Sequence, residues 1–383
     1  MSATVDELLA RHRMIVVGGP GGVGKTTTAA AFAAHAAATT DRRVLVLTVD
    51  PARRLATALG LQAFGNVERD ITASHWAASK RRPKGSLSAA MLDTKASWDA
   101  LVHRHAPTTD TAAEILANPL YQNITGRFVQ SHDYVAMERL HEVERSGRYD
   151  LIIIDTPPSR HAVDFLDAPE RMADFFSSPL LRLLTAPASS GVSGFMAKPF
   201  AAIADKVLGA HFVADIATFF SLMQTMRPGF VQRAEAVGAT LISSDTAFVA
   251  VTVAAPGPVA EANFFVDALA ERSLRLGGVV VNRCLPAMLE TRAGHTAAAK
   301  MVAQADRLVA EVPVLAAAPA DVAAGVLREV GESFTDYARL SDAAALALAE
   351  LRTDAPVWSV GEVTDDITDL GGVLHIGEQL AKG

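Results

Sequence analysis

The stretch Gly19-Pro20-Gly21-Gly22-Val23-Gly24-Lys25-Thr26 matches the pattern G-x-x-x-x-G-K-[ST] and decides the fold expected for this chain. The apolar run Met14–Val17 before it predicts a strand, and the Ala-rich run Thr27–Ala38 after it predicts a helix. A strand, a glycine-rich loop and a helix in that order are the context that this motif requires. A chance glycine-rich turn is therefore the weaker interpretation, and the sequence predicts a site for a nucleoside triphosphate.

The residue types of this loop suit phosphate. Glycine lets the backbone curl so that successive N–H groups point at phosphate oxygens, and a Cβ would block that approach. Lys25 is expected to reach the β- and γ-phosphates and to act in catalysis, and the Thr26 hydroxyl is expected to ligate Mg²⁺. The residues predicted to contact the nucleotide here are Gly19, Gly21, Gly22, Val23, Gly24, Lys25, Thr26 and Thr27.

Composition narrows the class of protein. The chain has 383 residues, of which 50% are hydrophobic, so it can bury a large core. Its net charge of −7 argues against a nucleic-acid partner. One cysteine excludes an internal disulfide framework, and the N-terminus carries Asp6 and Glu7 without an apolar signal region. These features lead us to expect a soluble, cytoplasmic protein.

Short, continuous apolar runs alternate with helical patterns along the chain. Runs of this kind indicate strands buried on both faces, as in a mostly parallel sheet covered by helices. The sequence therefore predicts a doubly wound α/β fold. The predicted strands are Met14–Val17, Val44–Val49, Leu87–Leu92, Leu151–Ile154, Phe248–Val253, Gly278–Val281 and Val312–Leu315.

Two intervals between strands are too long for single crossovers. Residues of about 94–148 and 163–243 both read as helical, so we expect them to form a helical subdomain beside the sheet. We assign residues 1–352 to one ATPase domain with this subdomain, and 353–383 to a small C-terminal extension. The extension carries two strand-like runs, Val357–Val360 and Gly372–Ile376.

Two carboxylates follow predicted strands. Asp50 ends the second strand and is the candidate that orients or deprotonates an attacking water, although Asp before Pro51 is also a typical helix cap. Asp155 ends the run Leu151–Ile154, as in the Walker B pattern that holds Mg²⁺ directly or through water. A solvent-exposed strand end is the alternative for Asp155.

Asn282 follows the predicted strand Gly278–Val281. An Asn amide can both donate to and accept from adenine, so Asn282 is a candidate adenine reader at a strand's carboxyl end. The alternative is an ordinary turn residue.

The order of these motifs resembles the ArsA-like ATPases. That family includes an arsenite-pump ATPase and guided-entry ATPases that deliver tail-anchored membrane proteins. The shared segments are Gly-Gly-Val-Gly-Lys-Thr-Thr, Asp50-Pro51-Ala52, Asp155-Thr156-x-Pro158-Ser159-x-His161 and Val281-Asn282, within about 14–340. The resemblance implies phosphate and Mg²⁺ binding by Lys25 and Thr26, a switch I role for Asp50, a switch II role for Asp155 and adenine recognition by Asn282. It also implies a dimer with nucleotides near its interface.

Three departures from the family pattern matter. The family's loop carries a Lys that reaches the partner's phosphates, and this chain has Pro20 there. Arg160 stands where Gly usually precedes His. Cys284 is the only thiol, so neither a three-cysteine metalloid site nor an interfacial Cys-x-x-Cys zinc site can form within this chain. The chain resembles the Lys-lacking member of bacterial ATPase pairs, which implies a heterodimer with a Lys-bearing paralogue; a homodimer is the alternative.

The interval Phe175 to Phe230 is rich in large apolar residues. Five of them share one helical face and suit either ordinary core packing or, as in the guided-entry relatives, an apolar client. The sequence therefore predicts a Mg²⁺-dependent ATPase that drives dimer rearrangement, with a nucleotide-gated regulatory subunit or a membrane-protein targeting factor as the alternatives. The five residues are Phe219, Leu222, Met223, Met226 and Phe230.

Overall fold

The computed structural model contains one eight-stranded sheet in the order β3-β4-β2-β5-β1-β6-β7-β8. Every described pair is parallel except β3 with β4. The strands are β1 Met14–Gly18, β2 Arg43–Thr48, β3 Arg69–Asp70, β4 Ser86–Met91, β5 Leu151–Asp155, β6 Thr246–Val253, β7 Leu276–Cys284 and β8 Val357–Gly361. The structure describes residues 3–49, 54–61, 65–118, 121–122, 129–157, 167, 171, 174, 219–222, 225, 227–312, 318–363 and 366–382.

Helices cover both faces of the sheet, and the predicted doubly wound α/β fold is confirmed. A short 3₁₀ turn spans Ala287–Glu290. The described helices are α1 Val5–Arg11, α2 Lys25–Thr39, α3 Arg54–Ala58, α4 Ala73–Ala78, α5 Thr94–His105, α6 Thr109–Ala117, α7 Val129–Arg145, α8 Arg227–Ile242, α9 Pro256–Glu271, α10 Arg292–Ala303, α11 Ala305–Glu311, α12 Ala320–Ala349 and α13 Leu370–Lys382. Within the described ranges, every helix is too short or too polar to cross a membrane.

The central strand β1 shows why the apolar runs are continuous. All five of its residues are buried. Ile15 and Val17 belong to the core beneath α2, whereas Met14 and Val16 belong to the core on the opposite face. A strand that is covered on both faces has no side that faces solvent. It therefore lacks the alternation of apolar and polar residues that a half-exposed strand shows.

The sequence placed most of the strands correctly. Six of the seven predicted strands occur as β1, β2, β4, β5, β6 and β7, with bounds within two residues except at the end of β7, which extends three residues further. Of the seventh, Val312–Leu315, only Val312 is described, and it follows α11 outside any strand. The first long interval is helical in α5, α6 and α7, and α8 covers the end of the second.

The segment beyond residue 352 joins the same sheet. Val357–Gly361 forms β8, which pairs parallel with β7, so the strand predicted at Val357–Val360 is confirmed. The strand-like interpretation of Gly372–Ile376 is wrong, because these residues lie inside helix α13. Leu370, Val373, Leu374 and Leu380 recur at helical spacing and are buried, and the paired glycines hid that period. The division into residues 1–352 and 353–383 stays a prediction.

Helix α13 packs directly on α2. A Cβ at Gly377 would lie 2.8 Å from the Cβ of His35 and 2.9 Å from the Ala31 carbonyl oxygen, so this contact needs glycine. The Ala-rich face of α2 is buried here, which explains why that helix carries so few large side chains. The C-terminal segment therefore contributes to the core on the phosphate-loop side of the sheet.

The indole of Trp358 fixes β8 in place. Its exposed fraction is 2%, and a Cβ at Gly278 of β7 would lie 2.2 Å from the Trp358 ring. The indole nitrogen donates a hydrogen bond to the Ala3 carbonyl oxygen at 3.2 Å. The ring thus connects β7, β8 and the N-terminal residues.

We predict that Trp358→Ala lowers the free energy of unfolding by about 3–5 kcal/mol, because it leaves a large cavity in a packed core. The measurement is urea unfolding followed by circular dichroism. Leu346→Ala is the control, because this side chain is 73% exposed on α12 and its truncation should be nearly neutral. Equal midpoints for the Trp358 variant and the unmodified protein would show that β8 contributes little to stability.

Candidate phosphate-binding site

The glycine-rich loop between β1 and α2 has a backbone that other residues adopt poorly. Gly19, Gly22 and Gly24 have φ values of 145°, 79° and 96°. A Cβ at Gly19 would lie 2.1 Å from the Val251 carbonyl oxygen, and one at Gly24 would lie 2.2 Å from Nδ2 of Asn282. A Cβ at Gly22 would have no atom of the described residues within 4 Å. The loop is therefore curled as phosphate binding requires, and neighbouring strands hold that curl.

Lys25 supplies the positive charge of the loop. It is the first residue of α2 and only 8% exposed, and its Nζ donates a hydrogen bond to the Pro20 carbonyl oxygen at 2.7 Å. The first turn of α2 carries no acidic residue, so the partial positive charge of the helix N-terminus is not offset within that turn. The ammonium group and the helix end together favour an anion within the loop.

Asp155 lies at the centre of the carboxyl edge of the sheet. Its Oδ2 accepts hydrogen bonds from Oγ1 of Thr26 at 2.6 Å and from Oγ1 of Thr48 at 2.8 Å. The carboxylate is 1% exposed, and Asp155 of β5 is in register with Thr48 of β2 and Val17 of β1. Parallel pairing thus brings a carboxylate and two hydroxyls together from three separate parts of the chain.

This set of oxygens fits Mg²⁺. Hydroxyl and carboxylate oxygens are the hard ligands that Mg²⁺ prefers, and Mg²⁺ is usually held by one or two carboxylates together with substrate phosphates. Among the described residues no cluster of three His, Cys, Asp or Glu side chains forms a metal cage. Thr26 and Asp155, the two predicted metal ligands, are thus in contact beside the phosphate loop, and their binding of Mg²⁺ stays a prediction.

Sequence reasoning missed Thr48. Its side chain is completely buried and donates to the same carboxylate oxygen as Thr26. A polar residue at the end of the apolar run Val44–Leu47 was the available signal. Only the pairing of β2 with β5 shows which residue it faces.

Asn282 lies within β7, so the turn interpretation does not describe its backbone. Its Nδ2 donates to the Val23 carbonyl oxygen at 2.8 Å, and its Oδ1 accepts from the Arg283 backbone N–H at 2.9 Å. The amide therefore contacts the phosphate loop directly. An Asn side chain has two donors and two acceptor lone pairs, and these two bonds use one of each.

Some of the remaining predicted site residues are described by the structure, and others lie outside the described residues. Gly21 is exposed at the tip of the loop, and Thr27 lies in the first turn of α2. Asp50 lies outside the described residues, but Val49 directly before it donates its N–H to the Asp155 carbonyl oxygen at 3.0 Å. The chain thus passes beside Asp155 at Val49. Arg160 and His161 also lie outside the described residues.

The apolar face predicted in the second helical interval is only partly described. Phe219 is 5% exposed and belongs to the core, and Leu222 is half-buried and packs against that core. Both therefore fit core packing. Met223 and Met226 lie outside the described residues, as does the side chain of Phe230.

Comparison with known proteins agrees with the motif order. The sequence model of the anion-transporting ATPase family, ArsA_ATPase, matches residues 12–312. The chain is 29% identical to the ATPase GET3 of Kluyveromyces lactis over 173 residues, which are 42% of this chain and 46% of that protein. It is 28% identical to the ATPase get3 of Aspergillus terreus over 158 residues, 41% and 43% of the two chains. The aligned part thus spans less than half the length of these curated relatives.

We predict that Gly24→Ala destabilises the ligand-free protein more than Gly147→Ala does. Both glycines have positive φ, which costs a side chain about 1–2 kcal/mol, but only Gly24 faces a neighbour, Nδ2 of Asn282, whereas the space at Gly147 is open. Urea unfolding measures both variants. Repeating Gly24→Ala in an Asn282→Ala background should reduce its cost, since the collision is removed. Equal costs for the two single variants would contradict this account of the loop.

Proposed function

Because the chain belongs to the anion-transporting ATPase family, we propose that it is a Mg²⁺-dependent ATPase that binds ATP at the Gly19–Thr27 loop. The observation that carries this proposal is the juxtaposition of the curled loop, Lys25 and the Asp155 carboxylate with its two hydroxyl partners. These are the groups needed to hold a triphosphate and its metal ion, and they converge at the carboxyl edge of the sheet, where ligands bind in doubly wound folds.

The residues of the site have separate roles in phosphoryl transfer to water. Backbone N–H groups of the loop bind the phosphates, and the Lys25 ammonium exchanges the Pro20 carbonyl oxygen for phosphate oxygens. Thr26 and Asp155 would hold Mg²⁺, and the ion would supply positive charge that offsets the negative charge of the phosphates. Asp50 orients the attacking water in line with the γ-phosphate, as a carboxylate positioned for general-base catalysis can.

We assign adenine recognition to Asn282. Its two unused hydrogen-bonding positions, one N–H and one lone pair, match the N7 acceptor and the N6 donor of adenine. Guanine presents an O6 acceptor in place of the N6 donor, which the lone pair of Oδ1 cannot satisfy. The bond to Val23 meanwhile holds the amide beside the loop that binds the phosphates.

We predict that Lys25→Ala abolishes hydrolysis and sharply weakens ATP binding, because it removes the cation of the loop. Asp50→Asn should keep ATP affinity and lower kcat by about 10²–10⁴, because the amide preserves size but is no base. Calorimetry and phosphate release measure the two effects, with Lys300→Ala on α10 as the surface control. Unchanged ATP affinity in the Lys25 variant would refute the site.

The phosphate loop of this chain lacks a positive charge that the family's loop carries, and this affects which oligomer we expect. The family's loop has a Lys that reaches across the dimer to the partner's phosphates, and Pro20 replaces it here. Proline also lacks a backbone N–H, so this position offers a phosphate neither charge nor a donor. We therefore propose a cytoplasmic heterodimer in which a Lys-bearing paralogous ATPase completes the catalytic charge, with hydrolysis driving dimer rearrangement. A homodimer, a regulatory subunit with little hydrolysis, or a targeting factor for an apolar client are the alternatives.

We predict that the isolated chain binds ATP but turns over slowly, and that adding the Lys-bearing paralogue raises kcat by about 10³–10⁵, as a cation supplied across an interface does. The measurements are phosphate release and mass in solution, for the chain alone and for the mixture. A paralogue whose Lys is replaced by Ala is the matched control. Fast hydrolysis by a pure homodimer would rule out the heterodimer.

A further inference from the structure

The hydroxyl of Thr48 is buried beside the predicted metal ligand Asp155. Thr48 ends β2, and parallel pairing with β5 places it in register with Asp155. Its exposed fraction is 0%, and its Oγ1 donates a hydrogen bond to Oδ2 of Asp155 at 2.8 Å. A side chain without exposed surface cannot reach a ligand in the phosphate loop. Thr48 can therefore act on such a ligand only through the groups that it contacts, of which Asp155 is the predicted metal ligand.

One oxygen of Asp155 accepts hydrogen bonds from two hydroxyls that belong to different elements. Thr26 donates from the first turn of α2 at 2.6 Å, and Thr48 donates from the end of β2. A carboxylate only accepts hydrogen bonds and each hydroxyl has a single proton, so both protons point at this oxygen. The Thr26 oxygen then directs its lone pairs away from Asp155, which is the orientation that a metal ligand needs.

The two hydroxyls differ in what they can contact. Thr26 is partly exposed and is itself a predicted Mg²⁺ ligand, whereas Thr48 is fully buried. The last torsion of an Asp side chain is broad, so a carboxylate that is held by a single donor can turn. Thr48 supplies a second donor that is not itself a candidate ligand. It can therefore hold the carboxylate of Asp155 whether or not the metal ion is bound.

The end of β2 is fixed on both sides by backbone hydrogen bonds. The Val49 N–H donates to the Asp155 carbonyl oxygen at 3.0 Å on the β5 side. The Leu92 N–H donates to the Thr48 carbonyl oxygen at 3.0 Å on the β4 side. The Thr48 hydroxyl therefore approaches Asp155 from a rigid position, and a ligand set is held most accurately when rigid elements support it.

We propose that Thr48 is a positioning residue for Mg²⁺, whose hydroxyl holds the Asp155 carboxylate in the orientation that binds the ion without touching the ion or the nucleotide. The proposal rests on the Mg²⁺-dependent ATPase function proposed above. Groups that orient a metal-binding side chain typically contribute about 10–100-fold to metal affinity. An effect of this size is expected from the Thr48 hydroxyl.

The test removes the hydroxyl and keeps the shape of the side chain. Thr48→Val does this, whereas Thr48→Ser keeps the hydroxyl and removes the methyl group. Thr246→Val is the matched control, because Thr246 is also buried and its Oγ1 donates to the Thr240 carbonyl oxygen at 2.7 Å. Thr246 begins β6, at the end of the sheet opposite the phosphate loop.

The measurements separate metal binding from nucleotide binding. Electron paramagnetic resonance measures the affinity for Mn²⁺, used in place of Mg²⁺, in the presence of ATP. Calorimetry measures ATP affinity without a metal ion, and circular dichroism verifies that each variant is folded.

We expect Thr48→Val to weaken Mn²⁺ binding about 10–100-fold and to leave metal-free ATP affinity unchanged. Thr48→Ser and Thr246→Val should bind Mn²⁺ as the unmodified protein does. Unchanged Mn²⁺ affinity in a folded Thr48→Val protein overturns the proposal, and so does an equal loss in Thr48→Ser or in metal-free ATP affinity. If Thr48→Val does not fold, Thr48→Ala is judged by the same outcomes. An unmodified protein that binds neither ATP nor Mn²⁺ would instead refute the ATPase function itself.

Discussion

The buried carboxylate of Asp155, with the hydroxyls of Thr26 and Thr48 donating to it, is the interaction on which the site depends. A carboxylate that is 1% exposed needs such donors, because leaving a buried charge without hydrogen bonds is expensive. These two bonds join β5, β2 and the first turn of α2. They fix the distance between the phosphate loop and the strand ends, between which the proposed metal ion and triphosphate would bind.

The parallel sheet makes this arrangement possible. Because β2, β5, β1, β6 and β7 all run in one direction, their polar ends meet at one edge while their apolar bodies form two cores. Glycines at both sides of the loop then allow close approach. Gly19 lies against the Val251 carbonyl oxygen, and Gly24 lies against the Asn282 amide. The loop is held by packing from the neighbouring strands as well as by its own sequence.

The C-terminal segment stabilises both the sheet and the helix that follows the phosphate loop. Its strand β8 completes the sheet beside β7, and α13 covers the Ala-rich face of α2 through a close contact at Gly377. The helix that begins at Lys25 is therefore stabilised by residues more than 340 positions later in the chain. The same segment also contributes Ser359 and Gly361 to the lining of a cavity at the ends of β7 and β8.

The sequence by itself determined the fold class, the phosphate loop and most strands. Those features are local: a run of apolar residues buried on both faces, or glycines at fixed spacing, leaves a pattern within a few neighbouring residues. Short elements such as β3 and α4, which are brief and largely exposed, leave no comparable pattern. In α13 the paired glycines interrupt the spacing of the apolar residues, so the helical period was not recognised from the sequence.

Only the tertiary structure decided which distant residues meet. That Thr48 faces Asp155, that Asn282 donates to Val23 and that Trp358 packs beneath Gly278 all follow from strand order and register. A single sequence records neither the strand order nor the register, because contacts between residues 80 or more positions apart are set by global packing. The chemistry of each residue could be predicted from its type and neighbours, whereas its partners depended on how the chain returned to the same edge of the sheet.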